Sequence, residues 1–301
     1  MEFTKYNKLW FTISALLIIP GIIAIFVWGL NLGIDFKGGT VTAVKFNKTV
    51  GKSQVENSLK NLKLEDINIQ PAKNNQYIIR TASTNDKLDE QISSSLKKVG
   101  ENQVLNFESI GPSISSDLAK KAFGSIILAS LGIIIYLAIA FRKVPKPANS
   151  WRFGLCAVAA LIHDSLFVLG TYAILGHYFG YEVNSLFVTA LLTIIGFSVH
   201  DTIVVFDRIR ENLRLSPSNP FSHTANNSIT QTLARSLNTS LTVIIVLLAM
   251  FLLGGETIKP FVLTLLLGII IGTYSSIFNA TPLLVIWQNA IDRKTDAAKA
   301  T

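Results

Sequence analysis

The sequence has a single cysteine, Cys156, in an apolar stretch. An intramolecular disulfide is therefore excluded, and the thiol reads as a small packing residue. Charge is also scarce. Asp, Glu, Lys and Arg make up 15% of the 301 residues, against about a quarter in an ordinary soluble domain. Half of the residues are apolar and the mean hydropathy is +0.44, which excludes that class. Several chemical signatures are missing as well. No G-x-x-x-x-G-K-[ST] loop is present, so nucleotide hydrolysis of that type is excluded. No G-x-S-x-G elbow presents a serine nucleophile, and the two His-Asp pairs lack metal-ligand spacing. "DFKGG" is glycine-rich but follows an apolar span without the strand and helix of a dinucleotide site. No enzyme activity, cofactor or metal is expected.

What the sequence does have is apolar blocks of about twenty residues, long enough to cross roughly 30 Å of hydrocarbon as helices. Six spans are predicted, at roughly 9–30, 122–141, 152–175, 184–206, 234–254 and 259–288. The first is too long for the core of a signal peptide and has no A-x-A-like cleavage site after it. It reads as a retained span, kinked or thinned at Pro20-Gly21. The net charge of +8 does not indicate nucleic acid, because the basic residues flank the apolar blocks. Lys5 and Lys8 precede the first span, and "RKVPKPANSWR" supplies Arg142, Lys143, Lys146 and Arg152 after the second. Arg208, Arg210 and Arg214 follow the fourth; Arg293, Lys294 and Lys299 follow the sixth. The opposite loops, "GHYFGYE" and "GGETIK", are short and nearly free of such charge. This asymmetry predicts a multi-pass protein with both termini cytoplasmic.

Residues 31–120 then form one extracytoplasmic domain, too long to be a linker. "TVTAVKF" alternates as a strand, and "SQVENSLKNL" has helical spacing with Ser53 as its expected N-cap. "INIQPA" and "QYIIRTA" flank the "KNN" turn as a hairpin. "NDKLDEQISSSLKKVG" is a second helix, with Leu88, Ile92 and Leu96 on one face and Gly100 as its stop. "QVLNFESI" completes the set as a strand. The order β-α-β-β-α-β is ferredoxin-like. The predicted fold is thus an α-helical polytopic membrane protein of six transmembrane helices, with a small α+β domain between helices 1 and 2. The expected division is 1–30, 31–120, 121–290 and a cytoplasmic tail at 291–301.

Within "TIIGFSVHDTIVVFDR" of the fourth span lie His200 and Asp201. An ionised Asp at mid-membrane costs about 2.5–3.5 kcal/mol on insertion scales. Asp201 falls roughly 9 Å above Asp207, inside the hydrocarbon, and Asp is too short to snorkel out. It must be protonated, paired or hydrated. Its best expected partner is Arg235 of the fifth span, which could equally be an interfacial anchor. Facing an Arg favours ionisation and burial favours the neutral acid, so a change in that balance would bind and release a proton. His200 points about 100° around the helix from Asp201 and is either a proton shuttle or a polar contact between helices. Asp164, beside His163 in the third span, is either a structural hydrogen-bond acceptor or a wall of the same hydrated path. Asp207, Arg208, Arg210 and Glu211 read as a surface cluster. Gly268, Gly272, Ser275, Ser276 and Ala280 suit close helix packing.

Four stretches, "LGIDFKGGT", "IGFSVHDTIVVFDRIREN", "QTLARSLNTSLT" and "GTYSSIFNATP", resemble the SecF branch of the SecD/SecF family, bacterial protein-export membrane proteins of the resistance-nodulation-division superfamily. The resemblance runs in the right order along nearly the whole chain. It implies a non-enzymatic subunit in the cytoplasmic (inner) membrane that pairs with SecD beside the Sec translocon channel. There it would use the proton-motive force to help draw unfolded polypeptide across. It also implies that Asp201 and Arg235 carry protons, and that Gly33, Gly38 and Gly39 in "GIDFKGG" form either a hinge or an ordinary turn into the domain. The sequence departs from the family at His200, where Asn is usual. A small-molecule or lipid transporter half of the same superfamily, and a passive scaffold of the translocon, are the alternatives.

Overall fold

The computed structural model describes residues 3–300 other than 73, 86, 143, 146, 147 and 256, and for 293–300 the backbone alone. Lys73 of the expected "KNN" turn, Asp86, Glu256, the loop residues Lys143 and Lys146, and the side chains of Arg293, Lys294 and Lys299 lie outside the described residues. Among the described residues six helical segments are long and apolar enough to cross a membrane. Five of them contain α1 (Asn7–Trp28), α5 (Pro112–Ala140), α6 (Ser150–Phe179), α7 (Ser185–Leu215) and α8 (Phe221–Leu253). The sixth joins α9 (Lys259–Ser275) to α10 (Thr281–Ala300) through a π-helical turn at Ser276–Ala280.

The helices outrun the apolar blocks, most of all in α8, which begins at Phe221 where the hydropathy signal begins near 234. Hydropathy marks what hydrocarbon tolerates rather than where a helix starts. Phe221, Ala225 and Ile229 recur at the helical spacing of four and are buried, so packing continues the helix through a polar sequence. The π turn has a local cause. Pro282 follows in the first turn of α10, and proline neither donates to the helical ladder nor fits beneath the carbonyl four residues back. A wider turn accommodates it, and the Thr281 hydroxyl donates to the Ser276 carbonyl at 3.3 Å.

The chain forms two compact units. The larger comprises Met1–Leu30, Ser125–Tyr181 and Leu186–Thr301. It is apolar outside, with Phe26, Leu128, Ile245 and Leu253 exposed, and its interior mixes apolar side chains such as Phe153, Phe187 and Phe206 with buried serines, threonines and the aspartates Asp164 and Asp201. An apolar exterior suits lipid as solvent, and buried small and polar side chains help hold helices together there. Helix α1 runs unbroken through Pro20. The neighbouring Gly21 lets α1 approach α6 closely, since a Cβ on Gly170 would stand 2.5 Å from the Gly21 Cα.

The smaller unit comprises Asn31–Gly124 and the four residues Glu182–Ser185. After a short helix, α2 (Ile34–Lys37), come β1 (Gly39–Phe46), α3 (Lys52–Leu59), β2 (Asn68–Ala72), β3 (Gln76–Thr81), α4 (Leu88–Lys97) and β4 (Asn102–Ile110). The sheet is antiparallel with strand order β2-β3-β1-β4, the ferredoxin-like arrangement. Alternate residues Val44 and Phe46 of β1 and Tyr77 and Ile79 of β3 pack with Val55, Leu59, Leu88, Ile92 and Leu96 of the two helices. Pro71 is tolerated because β2 is an edge strand. The N-cap of α3 is Gly51 rather than the expected Ser53. Gln54 Oε1 accepts the Gly51 N–H at 3.0 Å, which draws the helix start two residues earlier and leaves Ser53 in the first turn.

The close approach of α1 to α6 gives a controlled test. Gly170→Ala should lower the melting temperature of the detergent-solubilised protein, reflecting a loss within the ~1–3 kcal/mol typical of overpacking. Gly154→Ala on the same helix, where an added Cβ meets nothing within 4 Å, should leave it unchanged or raise it. Equal responses would exclude the glycine contact as the cause.

Candidate functional site

Among the described residues two carboxylates are buried in the larger unit, Asp164 of α6 with 1% and Asp201 of α7 with 2% of its surface exposed. Their surroundings differ. Asp164 Oδ2 accepts hydrogen bonds from Ser198 Oγ at 2.5 Å and Ser275 Oγ at 2.7 Å, and its Oδ1 lies 2.9 Å from His163 Nδ1. The network continues outward. Asn279 of the π turn places Nδ2 2.9 Å from His163 Nε2, while its Oδ1 accepts from Ser14 of α1 at 2.8 Å. With Asn279 donating, Nε2 is the acceptor and the imidazole proton sits on Nδ1, where it is given to Asp164. Ser14 also meets the Tyr274 hydroxyl at 3.3 Å, and that hydroxyl donates to the Trp10 carbonyl at 2.8 Å. One carboxylate thus gathers α1, α6, α7, α9 and the π turn.

Asp201 is held more loosely. Ser240 of α8 and Thr273 of α9 bond each other at 2.6 Å, and each stands 3.4 Å from Asp201 Oδ2. That separation is well beyond the 2.7–2.8 Å of a good O–H···O bond. Ser198 and Asp201 lie three residues apart and so share a face of α7, which sets the loosely held carboxylate beside the tightly held one along the helix.

The expected Arg235–Asp201 pair is not formed. Arg235 is exposed, and among the described residues it makes no ion pair with Asp201. Helical geometry supplies the reason. Ser236 and Ser240 occupy the buried face of α8, and Arg235, five residues before Ser240, is turned about 140° from it. His200 is exposed while Asp201 is buried, as their angular separation on the helix requires. Asp207 pairs with Arg210 at 2.5 Å and Arg208 with Glu211 at 2.7 Å. Arg210 also donates to the Ala140 carbonyl at 2.9 Å, so this charge cluster includes a cap on the last turn of α5.

Of the three glycines singled out after α1, Gly33 is extended, with φ −74° and ψ 174°. Gly38 and Gly39 have φ of +79° and +120°, a region that side chains disfavour. A Cβ on Gly39 would also stand 2.5 Å from the Thr81 carbonyl oxygen. Sequence reasoning missed Ser14, Ser198, Ser240, Thr273 and Asn279, and assigned Ser275 to packing alone. Isolated hydroxyl and amide residues inside otherwise apolar spans were the available signal.

Comparison with known proteins shows the family. The family described as "Protein export membrane protein SecD/SecF, C-terminal" matches residues 91–290, and that described as "SecD/SecF GG Motif" matches 23–50. The protein translocase subunit SecF of Thermobaculum terrenum is 45% identical over 302 residues, covering 96% of this chain and 94% of its own. The chain belongs to the SecD/SecF family of protein-export membrane proteins. The subunit SecF of Anaerolinea thermophila is 43% identical over 286 residues, covering 93% of this chain and 92% of its own. The crystal structure of SecDF, a translocon-associated membrane protein from Thermus thermophilus, superposes with a TM-score of 0.85 at 30% identity. It covers 96% of this chain, which in turn spans 39% of the SecDF chain. Asp164, Asp201 and Arg235 fall within the C-terminal family region, and Gly33, Gly38 and Gly39 within the GG motif.

The contrast between the carboxylates is measurable. Asp164→Ala removes the acceptor of three donors; Ser275 can turn to the Gly272 carbonyl at 3.2 Å, while Ser198 and His163 are left unsatisfied at about 1–3 kcal/mol each in a buried site. Asp201→Ala removes only two long contacts and leaves Ser240 and Thr273 bonded to each other. Thermal unfolding in detergent should therefore show a much larger loss for Asp164→Ala. Equal losses would contradict the assignment of Asp164 as the tightly bonded site.

Proposed function

We propose that this chain is the SecF half of a SecD–SecF pair in the bacterial cytoplasmic membrane. With SecD it assists the Sec translocon channel, using the proton-motive force to promote passage of unfolded polypeptide. It catalyses no covalent reaction. Both termini are cytoplasmic and residues 31–120 are extracytoplasmic, in keeping with the basic residues beside the apolar blocks.

The observation that carries this reading is the loose setting of Asp201. A proton carrier must exist both neutral and ionised without large rearrangement. Asp164, with three close donors, is fixed as an acceptor. Asp201 is enclosed but weakly bonded, so gain or loss of its proton disturbs little around it. Arg235, exposed on α8, is available to stabilise the ionised form when SecD completes the assembly or when α8 rotates. Asp164 and His163 support the helices around the carrier, and His200, on the exposed side of α7, is an accessory group. Each proton crossing a 100 mV potential supplies about 2.3 kcal/mol, enough to bias a two-state motion.

Asp201→Asn and Arg235→Met should each leave the complex with SecD assembled yet abolish the proton-dependent part of export, measured as translocation into energised membrane vesicles. Normal export from assembled Asp201→Asn complexes would refute the relay and favour a passive scaffold.

A further inference from the structure

In the middle of α8, after Ile229 and before Leu247, the buried side chains are all hydroxyls: Thr232, Ser236 and Ser240. Thr224 and Ser228 continue the same spacing of four toward the start of the helix. Residues at that spacing form one ridge along a helix, and every member of this one is 7% exposed or less. The row ends at identifiable groups. Ser240 stands 3.4 Å from Asp201 Oδ2, and Ser228 Oγ accepts from Asn212 Nδ2 at 2.8 Å. Ser228 and Ser240 are about twelve residues apart on α8, and Asp201 and Asn212 about eleven on α7, roughly 17 Å of either helix. The two helices are thus joined at both ends of one stretch, and the row lies along it.

Four of the hydroxyls have a partner. Thr224, Ser228 and Thr232 donate to the carbonyls four residues before them, at 3.4, 2.7 and 2.9 Å, and Ser240 bonds Thr273. Ser236 is the exception: its Oγ is buried, and among the described residues no atom completes its hydrogen bonds. A buried hydroxyl left so destabilises a fold, and a water molecule held by several polar groups relieves it. The neighbouring hydroxyls supply such groups. Side chains four residues apart on a helix stand about 5–6 Å from each other. One water joined to each by an O–H···O bond of about 2.8 Å fills that gap.

We propose that the row from Thr224 to Ser240 is the proton path between Asp201 and the cytoplasmic end of α8, with Ser236 as its water-binding rung. A proton leaving the Asp201 carboxyl passes to the Ser240 oxygen as that hydroxyl gives its own proton to the next water. The exchange repeats at Ser236, Thr232, Ser228 and Thr224. Each oxygen gains one proton and loses one, until one proton enters bulk water at the start of α8. Hydroxyls suit this task because each turns about a single bond and both donates and accepts. They also carry no charge whose burial the protein would have to offset. This inference rests on Asp201 as the proton carrier.

Valine and threonine share a shape and differ in the hydroxyl, which gives a controlled test. The full chain is assembled with SecD in vesicles, and proton flux is recorded under an imposed pH gradient. Thr232→Val and Ser236→Val should each lower flux by about tenfold, the loss expected when one hydrogen bond is missing at the barrier. Thr232→Ser and Ser236→Thr keep the hydroxyl and should conduct nearly as well as the native complex. Native flux from assembled Thr232→Val, or Ser236→Thr conducting no better than Ser236→Val, would overturn the path. Failure of the carrier reading would show separately, as native flux from Asp201→Asn.

Discussion

A carboxylate withdrawn from water must be given its hydrogen bonds back by the protein. Asp164 is where this protein meets that demand most fully, and the packing of its inner helices follows from it. Ser198 must project from α7, Ser275 from α9 and His163 from α6 to reach the two oxygens. Satisfying His163 then needs Asn279, which the π turn supplies, and satisfying Asn279 engages Ser14 of α1. Small residues make this possible. Gly272, whose added Cβ would stand 3.1 Å from Ser198 Cβ, lets α9 lie close enough for Ser275 to reach the same carboxylate. The network is short, directional and buried, so it fixes helix rotation more narrowly than apolar contact with lipid on every side could.

Against that fixed frame, Asp201 has room to change. It shares a face of α7 with Ser198, so its position is set by the helix that Asp164 holds, while its own hydroxyl neighbours satisfy one another. One carboxylate is tightly bonded and the other loosely. The two could not exchange roles without rebuilding the donors around both. At its first residue the same helix is capped by Asp35. Helix α7 thus carries the loosely held acid in its middle, the Asp164 donor one turn before it, and at its first residue an N–H bonded to Asp35.

Much of this was legible in the sequence. Six apolar blocks and the alternation in "TVTAVKF" and "QYIIRTA" are long-range averages, and both the spans and the βαββαβ order follow from them. Asp201 was legible as a candidate because a lone Asp among isoleucines and valines is costly in hydrocarbon. Its neighbours were not, since whether Ser275 packs or donates depends on which helix it faces. Arg235 shows the same limit: its depth relative to Asp201 can be counted along the chain, but its direction depends on the rotation of α8. The bond between Asp35 and Ser185 was hidden for another reason. Asp35 and Ser185 are about 150 residues apart, and no periodicity in one segment indicates its partner in the other.

Proton conductance through vesicles containing the chain together with SecD, recorded under an imposed pH gradient, tests the central claim most directly. Conductance should rise with the gradient in the native complex and vanish with Asp201→Asn, while Asn279→Ala, which disturbs only the supporting network, should weaken the fold yet leave conductance detectable. A gradient-driven current that persists undiminished in the Asp201→Asn complex would contradict the assignment of Asp201 as the proton carrier.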